Sequence, residues 1–417
     1  MGWSILQSFS KRQFQASWSL PLATVARKFC SEFNLAKCIT LNQKPPPWKV
    51  MFFGTDDFSL KSLEVLHMEL MKGGLIKRLD VVSVPLKKSL TVVRHFCQKE
   101  GLQITDWPVT VPQGVYDVGI VASFGHLIPA SVINAFPMGI VNVHGSLLPR
   151  WRGAAPVIHA LLNQDQQTGI TLMRIAPFRF DVGHVICKVV VPVEWNIKSR
   201  ALTAQLAEVG AQELLSILPN LPQHLREASP QSTEGITRAP KVNEAASRVW
   251  WVKWSCSDVQ AHYRALDDYT PLWSLWQGTP IRLRSMVMQK KWSNNKIDDK
   301  MQINGCGSES ENRESEFIKD VHNYCRNDSA TKNQFVMKNS TKAHLSDNID
   351  NCSQKNVERT IPGSVMYNRK AKEIRVHCRD GWVTFQHVML KGRKLMTAQD
   401  FYNGFMSKVS KDLHRFT

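Results

Sequence analysis

The amino-acid sequence predicts an α/β protein built on a Rossmann-like domain with a parallel-rich sheet. Three observations carry that prediction. From residue 48 to residue 218, short apolar runs alternate with helix-patterned segments, the order that folds into a largely parallel sheet covered by helices. No Gly-x-Gly-x-x-Gly comes after the first apolar run, which weakens any dinucleotide-binding version of the fold. The chain has 417 residues, enough for two or three domains, so a second unit is expected after the first.

Residues 1–44 read as a leader. There is no Asp or Glu before Glu32, while Lys11, Arg12, Arg27 and Lys28 lie among Ser, Gln and Ala, the acid-poor composition of a mitochondrial transit peptide. Pro45-Pro46-Pro47 then forms a stiff boundary. Trp48-Lys49-Val50-Met51-Phe52-Phe53 is short and apolar enough for a central strand. Gly54 comes next, and Thr55, Asp56 or Asp57 caps a helix running to about Met71. Alternating pieces continue at 79–84, 91–100, 116–123, 127–136, 139–144, 157–163, 171–175, 184–193 and 199–218. The polar, proline-broken stretch 221–236 reads as a linker, which sets a first domain at 45–220 and a second at 237–417. Within the second, a stretch at about 289–359 is rich in Asn, Ser, Lys, Asp and Glu with few aromatics, and is expected to be disordered.

The chemistry gathers in one stretch. In Ile140-Val141-Asn142-Val143-His144, the period of two puts Asn142 and His144 on one face and Val141 and Val143 on the other. Polar groups at the C-terminal end of a strand, before a helix, stand where open α/β sheets bind ligands. An Asn-x-His pair there is more often a set of hydrogen-bonded polar groups than a catalytic one. The neighbouring residues shift that balance: the run Asn142-Val143-His144-Gly145-Ser146-Leu147-Leu148-Pro149-Arg150-Trp151-Arg152-Gly153 is continued by Ala154-Ala155-Pro156. It resembles the methionyl-tRNA formyltransferases, whose signature Asn-x-His-Gly-Ser-Leu-Leu-Pro-x-x-Arg-Gly it carries unbroken.

The resemblance implies more than the residues alone would. Asp181, in Phe180-Asp181-Val182-Gly183-His184, matches a family Asp before x-Gly, where an unaided assignment would be a turn residue. Asn142, His144 and Asp181 then become the catalytic set. Formyl transfer to an amine passes through a tetrahedral carbon with a developing oxyanion, and it requires a donor for that oxygen and a route for the amine proton. Asn142 suits the donor. Either His144 or a water held by Asp181 suits the proton. Ser146, Leu147, Leu148 and Pro149 match the wall of a folate pocket, with 10-formyltetrahydrofolate as co-substrate and no metal expected. The second domain is implied to be a smaller OB-like β-barrel that binds tRNA, opened by Arg238-Ala239-Pro240-Lys241-Val242.

Charge agrees with a polyanionic partner. Lys plus Arg number 53 against 35 Asp plus Glu, a formal net charge of +18. Candidate tRNA contacts are Lys87, Lys88, Arg150, Arg152, Lys241, Lys391, Arg393 and Lys394. Trp250, Trp251, Trp254, Trp273 and Trp276 alternate with cations and are expected to be mostly barrel packing, with an RNA face outside. Lys87 and Lys88 are all that stands in place of the long basic loop of bacterial members. Nine scattered cysteines with no Cys-x-x-Cys argue for a reducing compartment, and no run is apolar enough to span a membrane. The expectation is a monomeric mitochondrial-matrix enzyme that formylates methionyl-tRNA. The alternatives are a 10-formyltetrahydrofolate hydrolase, a sugar-amine formyltransferase, or a non-catalytic RNA-binding protein on the same fold.

Overall fold

The structure, a computed structural model, describes residues 45–85, 90–290 and 360–417. The expected leader, Lys87 and Lys88, and nearly all of the expected disordered stretch lie outside the described residues.

Strand β1 (Trp48–Phe53) is buried at five of its six positions and sits at the middle of the first sheet. Helix α1 (Asp57–Met71) comes directly after it. Of the three candidate caps, Asp56 is the one used: its carboxylate accepts from the Ser59 amide at 3.1 Å, and the Ser59 hydroxyl closes a capping box. Strand β2 (Ile76–Ser83), helix α2 (Val92–Glu100), β3 (Ile104–Asp106), β4 (Val118–Ala122), the one-turn helix α3 (Ala130–Ile133) and β5 (Ile140–His144) complete the parallel part. Helix α4 (Pro156–Leu162), β6 (Gln167–Arg174), β7 (Val185–Pro192) and the long helix α5 (Ser199–Ile217) end it. The sheet runs β3-β2-β1-β4-β5-β6-β7. Pairing is parallel from β3 to β5 and antiparallel beyond: β6 runs against β5 although helix α4 joins them, and β7 returns beside β6 through a turn.

Two apolar clusters cover the faces. Val141 and Val143 point into the one shared with α1 and α5, and Ile140 into the other. Gly210 of α5 is what lets that helix lie on β5: a Cβ there would stand 2.7 Å from Val143 Cγ1. The site strand is thus packed against a helix from behind while its other face stays available.

The second half is an antiparallel half-barrel. Strands β8 (Trp273–Trp276), β9 (Thr279–Met286), β10 (Val365–Asn368), β11 (Glu373–His377) and β12 (Trp382–Leu390) form the order β10-β11-β12-β9-β8, with β13 (Met396–Thr397) on β12. Strand β9 precedes the stretch 291–359 and β12 comes after it, yet they pair from Ile281↔Leu390 to Met286↔Phe385. The edges β8 and β10 are bridged by the last residues, through Trp276↔Phe416 and Ser364↔Arg415. Phe416 is buried between Trp276 and Phe401, and Gly363, at φ +93°, makes room for its carbonyl. Helix α7 (Cys256–Leu266) and helix α8 (Ala398–Gly404) flank this sheet. Trp251 and Trp276 are core residues, and Trp254 stacks on His262 at 3.8 Å. Trp250 and Trp273 are only partly buried, with the Arg248 guanidinium 4.6 Å and 5.5 Å from their ring centres.

The stretch expected as a linker begins with a helix, α6 (Leu221–Glu227), whose Leu221 and Leu225 are buried. After it, Ser229 exchanges backbone hydrogen bonds with Val185 at 2.7 Å and 2.9 Å. Gln231 of this stretch bonds to the turn between β6 and β7.

Candidate active site

Strand β5 delivers Asn142 and His144 to the same face, as the period of two requires. His144 is 6% exposed and lies opposite Thr171 of β6; Asn142 lies opposite Met173. Both side chains reach one carboxylate oxygen. Asn142 Nδ2 donates to Asp181 Oδ1 at 3.4 Å, and His144 Nδ1 lies 3.5 Å from the same atom. The other imidazole nitrogen, Nε2, is 3.0 Å from the Trp151 carbonyl oxygen, which can only accept. That contact puts a proton on Nε2, and Nδ1 faces Asp181.

The backbone also holds Asp181. Its Oδ2 accepts from the Gly153 amide at 2.9 Å. Its own φ is +53°, a conformation that a short polar residue tolerates better than most. Two residues on, a Cβ on Gly183 would stand 1.6 Å from the Arg174 carbonyl oxygen, so only glycine fits where the β6–β7 turn closes.

A strap from beyond α6 completes the site, and sequence alone does not reveal it. Gln231 Nε2 donates to the carbonyls of Asp181 and Gly183, both at 2.9 Å. Its Oε1 accepts from Arg152 Nε at 3.0 Å and Nη2 at 2.6 Å. Further along, the Trp151 amide donates to Thr237 Oγ1 at 2.9 Å, the Ala239 amide to the Arg152 carbonyl at 2.7 Å, and the Ala155 amide to the Ala239 carbonyl at 3.0 Å. Gly153, at φ +132°, passes so near that a Cβ would come within 2.5 Å of the Ala239 oxygen. Gln, Thr and Ala in a proline-broken stretch carry no local mark of this role.

The residues expected to line a folate pocket divide. Ser146 and Leu148 are fully buried. The Ser146 hydroxyl donates to the Arg150 carbonyl at 2.7 Å, and the Leu148 amide donates to Thr171 Oγ1 at 3.0 Å. Leu147 and Pro149 keep partly exposed side chains and can form a pocket wall directly. Ser146 and Leu148 shape the loop that presents them.

The expected tRNA contacts divide too. Arg150 makes a two-pronged pair with Asp165, at 2.9 Å and 2.6 Å, and lies over the Trp151 ring. Arg152 is committed to Gln231, and burial lowers the pKa of its guanidinium against the opposing pull of the Asp181 carboxylate. Both cations therefore brace the loop, while the Arg150 side chain stays 44% exposed beside Asp165. Lys241, Lys391, Arg393 and Lys394 are exposed, the last three on the turn between β12 and β13.

The halves meet beside this loop. His159 of α4 donates to the Pro240 carbonyl at 3.0 Å, Gln164 to Asp258 at 3.3 Å, and Lys198 to Asp267 at 2.6 Å.

Comparison with known proteins is consistent across the chain. Residues 110–218 match a family model described as formyl transferase, and residues 319–406 match one described as formyl transferase, C-terminal domain. A mitochondrial methionyl-tRNA formyltransferase from Bos taurus is 36% identical over 368 residues, covering 87% of this chain and 79% of the relative. The Homo sapiens protein of that name has the same identity and coverage. A methionyl-tRNA formyltransferase from Rhizorhabdus wittichii is 30% identical over 255 residues, 56% of this chain and 78% of its own length. Among solved structures, a sugar 3N-formyl transferase in the presence of dTDP and 5-N-formyl-THF has a TM-score of 0.51 at 12% identity. It covers 84% of this chain and all of its own, a likeness of fold.

Proposed function

As the chain belongs to the methionyl-tRNA formyltransferases, we propose that it transfers the formyl group of 10-formyltetrahydrofolate to the α-amino group of methionyl-tRNA, and that Asn142, His144 and Asp181 carry the reaction. The observation that supports this reading is the meeting of Asn142 Nδ2 and His144 Nδ1 on Asp181 Oδ1 at the C-terminal end of β5. The amine nitrogen forms a bond to the formyl carbon, and the bond from that carbon to N10 of the folate breaks. The amine gives up a proton and N10 receives one.

Asn142 donates to the formyl oxygen as it gains charge; loss of one such donor costs about 10²–10³ in rate. His144, its Nε2–H occupied by Trp151, handles the proton at Nδ1, and Asp181 stabilises the charge this creates. Leu147 and Pro149 line the folate side, with Ser146 and Leu148 behind them. Lys241, Lys391, Arg393 and Lys394 supply phosphate contacts. The location is mitochondrial, as the names of the 36% relatives state for those proteins; the matrix, a cleaved leader within residues 1–44, and a monomeric state are part of the same proposal. No helix among the described residues is long and apolar enough to cross a membrane.

The test mixes the purified protein with methionyl-tRNA and 10-formyltetrahydrofolate and follows acylated tRNA on an acid gel, with Asn142→Ala and His144→Ala alongside. Formylated product that disappears in both variants is the expected result. Release of formate with tRNA left unmodified would replace this reading with the hydrolase.

A further inference from the structure

The turn between β6 and β7 carries two phenylalanines that the reaction described so far does not use. Phe178 is 78% exposed and Phe180 is 55% exposed, with the exposed Arg179 between them. Neither ring stacks on another ring among the described residues. Phe178 is held at φ +71°, a conformation unfavourable for a bulky side chain and one that concentrates at ligand-binding positions. The turn is pinned at its base, where the Arg174 amide donates to the His184 carbonyl at 2.8 Å and Gln231 grips Asp181 and Gly183. Two apolar rings are therefore presented to solvent by a fixed scaffold.

Position and charge say what covers them. Phe180 adjoins Asp181 and Phe178 is three residues away, so both lie within roughly 10 Å of it along even an extended chain. The attacking amine belongs to an aminoacyl ester on the 3′-terminal ribose of tRNA, a few bonds from an unpaired base and its phosphates. Aromatic faces interleaved with a cation are what unpaired nucleotides recognise. We propose that Phe178 and Phe180 stack the 3′-terminal bases of the tRNA while Arg179 contacts a phosphate between them, binding the end of the tRNA beside Asp181. This rests on the formyl transfer to methionyl-tRNA proposed above.

Steady-state formylation by the full-length protein tests it, with methionyl-tRNA and 10-formyltetrahydrofolate varied in turn. Phe178→Ala and Phe180→Ala should each raise KM for tRNA about tenfold, with kcat and KM for the folate within about twofold of wild type. Phe178→Tyr should restore the wild-type KM and Phe178→Leu should not. Arg179→Ala should reduce the slope of log KM against log salt by about one. Phe178→Gly removes the ring and relieves the backbone, so a raised KM in that variant is not a folding defect. A rise in folate KM would give the rings to the folate. A fall in kcat alone would make them supports of Asp181, and unchanged kinetics would leave them no role; each overturns the proposal. A wild-type protein that does not formylate tRNA would sink the underlying reaction instead.

Discussion

Replacing Gln231 with alanine should leave this protein folded while sharply lowering its turnover. The side chain makes four hydrogen bonds, two to the Asp181 and Gly183 carbonyls and two from Arg152. A neutral bond contributes about 0.5–1.5 kcal/mol and one to a charged group about 1.5–3 kcal/mol. The turn borders solvent, and water replaces part of what is lost. The expected destabilisation is therefore about 2 kcal/mol, or a fall of roughly 4–8 °C in Tm. Turnover responds differently, because Asp181 keeps its Gly153 bond but loses the anchor on its own carbonyl. A displacement of about 1 Å at a reacting group costs on the order of 10²-fold. Thermal melts and kcat/KM on one preparation of Gln231→Ala measure both effects. Gln231→Glu separates their causes: it keeps an acceptor for Arg152 but sets a carboxylate against two carbonyls, so stability should largely return while turnover stays low. If Gln231→Ala turns over within threefold of wild type while Asp181→Ala is inactive, Gln231 does not hold the catalytic aspartate and the reasoning fails.

Other perturbations address other parts of the molecule. Gly153→Ala forces a Cβ against the Ala239 carbonyl at φ +132° and should destabilise by about 1–3 kcal/mol while breaking the amide bond to Asp181; a thermal melt with a turnover assay checks both. Alanine at Lys391, Arg393 and Lys394 together should lower the slope of log Kd for tRNA against log salt by about two to three, with KM for the folate unchanged. Burial against Trp254 pushes His262 down to about 4, below its ordinary value of 6.5. The unfolded chain thus takes up this proton first, so stability is complete above about pH 6.5 and is lost as pH falls toward 4, by up to about 3 kcal/mol. His262→Phe should flatten that limb in urea titrations across the window; an unchanged limb would assign it to His159 or His377, which burial also depresses.

The fold could be read where local pattern and burial coincide. Strand β5 is an example: its alternation placed Asn142 and His144 opposite Val141 and Val143, and the two apolar clusters keep those sides apart. Asp181 lacks any such mark, since a turn aspartate two residues before a glycine looks the same whatever it touches, and only the family resemblance singled it out. The contacts of Arg150 and Arg152 were hidden for a related reason. Their partners, Asp165 and Gln231, lie 15 and 79 residues onward. The same distance hid the seam at Phe416, whose partner Trp276 stands on a strand formed 140 residues earlier. Contacts across such separations are set by topology, which residue type and spacing do not encode.

The strap from Ser229 to Ala239 is anchored at both ends, and each anchor fixes the spacing of the residues around it. One end is locked to Val185 by reciprocal hydrogen bonds and the other to Arg152 and Ala155, with Gln231 and Thr237 in register between them. One residue added or deleted between Ser229 and Gln231 would bring a neighbour's side chain to the position of Gln231, and one between Thr237 and Ala239 would lift Thr237 from Trp151. Connections between domains are ordinarily where insertions and deletions accumulate. In this protein the long stretch 291–359 enters between β9 and β10, leaving the pairing of β9 with β12 intact, so that junction admits length freely. The anchored ends of the strap do not, and a spacer engineered at either end would disturb the turn that carries Asp181.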